Sequence, residues 1–198
     1  MRPTIAVRVV ALSMVPLVLG LMFSGKNLLR NGDFEKFTGD DPDGWSTTNI
    51  PKTLTVVSAT TMAHAGKSAV RCDVKPFFGS PTAGMISQKN IPINGTTLRL
   101  TGYYILKSVG KDAAFITLEL QSADGSTVKI CEQNILTSAE EFTSFTVTGG
   151  VPATAAKGEI RFTLLPGKGS EKLHDGSYLI LDDLVLSGEL AESDILPE

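Results

Sequence analysis

Two adjacent carboxylates, Asp182 and Asp183, interrupt an apolar stretch that runs from Ser177 through Tyr178, Leu179, Ile180 and Leu181 to Leu184, Val185, Leu186 and Ser187. Apolar on both faces, the stretch reads as a central strand buried between layers. Successive strand side chains point to opposite faces, so the two aspartates cannot both look at solvent. A buried ionised carboxylate is costly unless it is paired, hydrogen-bonded or bound to a metal. The sequence offers Lys36, Lys67, Arg71, backbone N–H groups or a metal ion as partners. Pointing opposite ways, the two acids do not form the carboxylate pair that a glycosidase sets across a cleft.

Other chemistry is sparse. His64 and His174 are the only histidines, and neither sits in a Ser/His/Asp or metal-ligand pattern. Glycine loops for phosphate and Cys/His spacings for zinc are absent from the sequence. The two cysteines, Cys72 and Cys131, fall in different predicted strands, as separate buried thiols or as a disulfide. Net charge is -3, with no basic field to attract nucleic acid or an anionic membrane.

The elements that must position these residues are strands. Arg2 and Arg8 precede an apolar run, Val9 to Phe23, too short for a spanning helix. Residues 1–25 therefore read as a secretory signal, with an uncleaved anchor as the alternative, and they predict a secreted, periplasmic or cell-envelope protein. From Lys26 onward, short alternating runs are separated by turn residues. Strands are predicted at 27–29, 54–58, 67–75, 84–89, 98–107, 115–121, 128–133, 142–148, 159–165 and 177–187. Asn94-Gly95 and Ala123-Asp124-Gly125-Ser126 mark turns. About ten strands with turns roughly every ten residues predict an all-β antiparallel sandwich, a jelly roll, over residues 26–188. An acidic tail, 189–198, follows.

The alternation names an inward set, Leu98, Leu100, Tyr104, Leu106, Ile116, Leu118, Leu120, Ile160, Phe162 and Leu164. It leaves Arg99, Tyr103, Glu119, Gln121 and Arg161 facing out. If these strands share one concave sheet, the outward set lines a polar cleft, with Phe77 at its rim. Tyr103 beside Arg99 or Arg161 is also the only approximation to a lyase site. The only tryptophan, Trp45, reads as structural packing, with sugar stacking as the alternative.

Four motifs occur in order: Asn27-Leu28-Leu29-Arg30-Asn31-Gly32-Asp33-Phe34-Glu35, then Pro42-Asp43-Gly44-Trp45, then His64-Ala65-Gly66-Lys67-Ser68-Ala69-Val70, then Tyr178 to Leu186 with its aspartate pair. Together they resemble the galactose-binding-like jelly-roll carbohydrate-binding modules appended to xylanases and cellulases. The resemblance spans Asn27 to about Ser187. It implies a structural calcium held by Glu35, by Asp182 or Asp183, and by carbonyls near Gly32 and in the Gly66-Lys67-Ser68 turn. Calcium suits such a mixture of carboxylates and carbonyls. The resemblance also implies non-catalytic binding of a polysaccharide or cell-envelope glycan. An extracellular structural or adhesion sandwich is the alternative, and a polysaccharide-active enzyme a third.

Overall fold

The computed structural model describes residues 26–93 and 95–189; for residues 130–136 and for 189 it describes the backbone. The signal reading of 1–25, the Asn94 half of the predicted turn, the tail beyond 189 and the Cys131 side chain lie outside these described residues.

Thirteen strands are present among them: β1 (Phe37–Thr38), β2 (Asp41–Pro42), β3 (Ser46–Thr47), β4 (Val57–Thr60), β5 (Ala69–Phe77), β6 (Ser80–Ala83), β7 (Met85–Pro92), β8 (Thr97–Lys107), β9 (Ala113–Ser122), β10 (Thr127–Leu136), β11 (Ala139–Gly150), β12 (Ala155–Leu165) and β13 (Tyr178–Glu189). All pairings are antiparallel. One sheet runs β10-β9-β12-β7-β3; the other runs β11-β8-β13-β5-β4, with β6 paired to β5. The fold is an all-β sandwich, as the alternation predicts.

The inward set is buried between the sheets. Leu98, Leu100, Tyr104 and Leu106 of β8 join Ile116, Leu118 and Leu120 of β9 and Ile160, Phe162 and Leu164 of β12 in one core cluster. Each buried side chain of this size contributes roughly 1.5–3 kcal/mol. β13 lies between β8 and β5, the central position expected of a strand apolar on both faces. Its Leu179, Leu181, Leu184 and Leu186 enter the core. On its other face, Ile180 joins Ala69 and Ile105 in a small second cluster, covered by Ala63, Phe142 and Tyr178. Cys72 of β5 is a buried free thiol, pushed up to about 12 by burial.

The 27–29 segment is not a strand, because Asn27 ties it sideways. Asn27 Oδ1 accepts from Leu29 N and Leu186 N, its Nδ2 donates to Leu184 O, and Leu28 N donates to Leu186 O. A side-chain amide thus stands in for the ladder along β13. Four short strands went unread in the sequence. Ser80–Ala83 returns along β5 after the Phe78-Gly79 turn, and the two-residue strands β1 to β3 are too short to show any period.

Candidate functional site

Two arrangements of polar side chains stand on opposite outer faces of the sandwich. The first surrounds the aspartate pair. β13 carries a register shift between Asp182 and Val185, and Asp183 takes a left-handed conformation at φ 49°. Such a bulge re-aims side chains. As a result, Asp182 and Asp183 do not point to opposite faces: both engage His64. Asp182, fully buried, accepts from His64 N (2.7 Å) and Ala65 N (3.2 Å) on Oδ2, and from Asp183 N (2.8 Å) on Oδ1. Asp183 Oδ2 lies 2.7 Å from His64 Nδ1. Burial still raises the Asp182 carboxyl above its ordinary value, against the lowering effect of these amides.

Glu35 grips the same turn from the other end. Its Oε1 accepts from Lys67 N (2.7 Å) and Ser68 N (3.0 Å), which hold the carboxyl below its ordinary value. Gly66, at φ +69°, is needed there, since a Cβ would stand 2.2 Å from that oxygen. Gly32 O accepts from Leu184 N. The segment around Glu35 and strand β13 therefore meet through the 64–68 turn, and backbone N–H groups are the partners. Calcium needs six to eight oxygens aimed at one point. The atoms aimed at Asp182 and at Glu35 Oε1 are N–H protons, and the Gly32 carbonyl is already engaged. Among the described residues no group of three His, Cys, Asp or Glu side chains forms a metal cluster. This donor set does not fit the ion that the resemblance implies.

His64 also stacks on Tyr103, with ring centroids 3.5 Å apart and planes 13° apart, and meets Phe142 edge-on at 5.6 Å. One face of Tyr103 is thereby covered.

The second arrangement lies on the five-stranded sheet. Glu119 and Gln121 of β9 and Arg161 of β12 face out together, as their alternation predicts. Glu119 sits opposite Glu159, Gln121 opposite Lys157 and Thr117 opposite Arg161. Arg161 Nη2 donates to Glu159 Oε1 at 2.8 Å, and Lys89 Nζ lies 3.6 Å from Glu159 Oε2. Beside them is a pocket of about 140 Å³ lined by Lys89, Glu119, Gln121, Thr127, Lys157 and Glu159, among others; Arg161 is not in its lining and reaches it through Glu159. Three register shifts bracket it, at Gly158/Ile160 against β7, Ala155/Lys157 against β9 and Lys129/Cys131 in β10. Bulges gather beside sites because they open a sheet locally.

Tyr103 and Arg99 do not share this cleft. They belong to β8, and the chain crosses to the other sheet between β8 and β9, so the single concave sheet of the sequence reading is two sheets. Phe77 ends β5 and is not among the residues lining the pocket; its ring packs 4.4 Å from that of Phe78, which is 90% exposed at the hairpin tip. Trp45 is packing, as expected: it touches Phe34 and Phe162, and Nε1 donates to the carbonyls of Arg30 and Asn31.

One cluster escaped sequence reasoning. Buried Asp112 accepts from Ser177 Oγ (2.8 Å) and His174 N (2.8 Å), and its Oδ1 lies 3.0 Å from His174 Nδ1. The composition is that of a hydrolytic triad, but the order is wrong. Serine bonds the carboxylate rather than the imidazole, and Ser177 is fully buried. The cluster fastens the loop before β9 to the loop before β13. Nothing in the spacing of residues 112, 174 and 177 announces it.

No family model matches the chain, and no curated protein matches it. Solved structures do. A family 61 carbohydrate-binding module in complex with β-1,4-galactotriose aligns with TM-score 0.54 at 18% identity, covering 83% of this chain and 99% of that one. The CBM22-1 xylan-binding domain of Paenibacillus barcinonensis Xyn10C aligns with TM-score 0.54 at 14% identity, covering 84% and 97%. The enzymatically active domain of bacteriophage CBA120 tailspike protein 4 aligns with TM-score 0.57 at 14% identity over 81% of this chain, which spans only 21% of that protein. At these identities the likeness is one of fold. The shared fold is the antiparallel β-sandwich seen in these carbohydrate-binding modules.

Proposed function

We propose that this protein binds a glycan without catalysis, on the outer face of its five-stranded sheet. The observation that supports the reading is the bulge-bracketed pocket over β9 and β12, where Glu119 and Gln121 present a carboxylate and an amide beside Lys157. Sugars offer hydroxyls that both donate and accept, and this set can answer both roles. The modules that share the fold and are titled as a galactotriose complex or a xylan-binding domain lend the ligand class. Within the pocket Glu159 is tied to Arg161 and Lys89, which suits a binding surface better than the two free carboxylates of a glycosidase. Export to the cell surface or beyond belongs with this reading and rests on the sequence of residues 1–25.

Affinity electrophoresis of the protein through a panel of polysaccharides tests it. Retardation by at least one polymer, lost in the Glu119→Ala/Gln121→Ala double variant, is the expected result. Unchanged mobility in every polymer, with self-association or capture of a protein partner instead, would favour a structural or adhesion module.

A further inference from the structure

The pocket's lining has two features that select among glycans. Among the described residues it contains no aromatic side chain to stack on the apolar face of a sugar. Its charges balance in number, Lys89 and Lys157 against Glu119 and Glu159, on a chain whose net charge is -3.

The charges are not evenly used. Glu159 is held by Arg161 at 2.8 Å and approached by Lys89 at 3.6 Å. In the next cross-strand row Lys157 is exposed opposite Gln121, with Thr127 on the far side of Gln121. No acidic side chain is paired with Lys157 among the described residues. An ammonium beside an amide and a hydroxyl, one strand spacing from a carboxylate, matches a sugar ring that carries one anionic group and several hydroxyls.

Resting on the glycan reading above, we infer that the pocket takes a uronic-acid unit of an acidic polysaccharide, with the uronate at Lys157 and the hydroxyls at Gln121 and Glu119. A polymer offers the site many copies of the same group, and the contact with Lys157 weakens with salt.

The test compares polygalacturonate with the same backbone fully methyl-esterified, which removes the charge and keeps the sugar. Polyglutamate serves as a polyanion without sugar. The expected result is stronger retardation by polygalacturonate than by its ester or by polyglutamate, about threefold loss of affinity in Lys157→Gln, and weakening as salt rises from 0.05 to 0.5 M, on the scale of one exposed ion pair per unit. Equal affinity for acid and ester, or for polyglutamate, would overturn the inference, as would an unaltered Lys157→Gln. Binding to neutral glycans alone, lost in Glu119→Ala/Gln121→Ala, would overturn the inference while leaving the glycan reading standing. Absence of binding to any glycan would overturn both.

Discussion

His64 and Asp183 are 119 residues apart in sequence and 2.7 Å apart between Nδ1 and Oδ2. The pair is the visible part of a closure that ties β13 and the segment around Glu35 to the 64–68 turn. Its buried part is Asp182, whose two oxygens take three backbone N–H groups. The two aspartates should therefore differ sharply in worth. Asp182→Ala leaves three amides without their acceptor and is expected to cost on the order of 3 kcal/mol or more. Asp183→Asn alters a side-chain contact with His64 whose partners are each about one-third exposed, 33% and 31%, and is expected to cost under about 1 kcal/mol. Urea unfolding of the two variants checks this, with the contradictory result being equal losses.

Gly66→Ala should destabilise by about 1–3 kcal/mol. The position combines a left-handed φ with a Cβ path blocked by Glu35 Oε1. Gly39→Ala, also at positive φ but with open space around it, is the control and should lose less. Thermal melts of both report the difference, and an equal shift would mean that contact with Glu35 adds nothing.

Acid should expose the Glu35 clamp. Its folded-state pKa lies below the ordinary value of 4.5, so the stability it contributes is present above about pH 4.5 and is lost as pH falls through the folded value. Asp182 acts the other way. Its carboxyl is raised, so its contribution declines as pH climbs through the window above 3.8. Glu35→Gln is expected to melt lower than the parent at pH 7 and to lose less on acidification to pH 3. Parallel melting curves for the two proteins across that range would contradict the clamp.

Chelation addresses the ion that the motifs imply. With N–H groups on Asp182 and on Glu35 Oε1, the turn is held without a cation, so excess chelator should leave the melting temperature within about a degree. A fall of several degrees, absent in Glu35→Ala, would instead assign a stabilising ion, since a ligand bound only to the folded state adds stability by mass action.

The fold was legible because each long strand keeps its period. Leu98, Leu100, Tyr104 and Leu106 alternate cleanly, and all are buried. The central place of β13 followed from its two apolar faces. The orientation of Asp183 was not legible, because a bulge changes the period by one residue and nothing in Leu181-Asp182-Asp183-Leu184 marks it. The site was half legible. Alternation places Glu119, Gln121 and Arg161 on one outer face, but it says nothing of which sheet a strand joins. Tyr103 and Arg99 were therefore grouped with residues that lie on the opposite side of the molecule. Lys157 lies two residues before the predicted start of its strand, although it keeps the period of Glu159 and Arg161.

The two outer faces make separate demands on mutation, and one titration tells them apart. A glycan that retards the parent protein is titrated into Glu119→Ala/Gln121→Ala and into Tyr103→Ala, with folding of each verified by its melt. Loss of binding in the double variant, with affinity retained in Tyr103→Ala, is the predicted result. Binding retained in the double variant and lost in Tyr103→Ala would move the ligand to the six-stranded sheet and contradict the account.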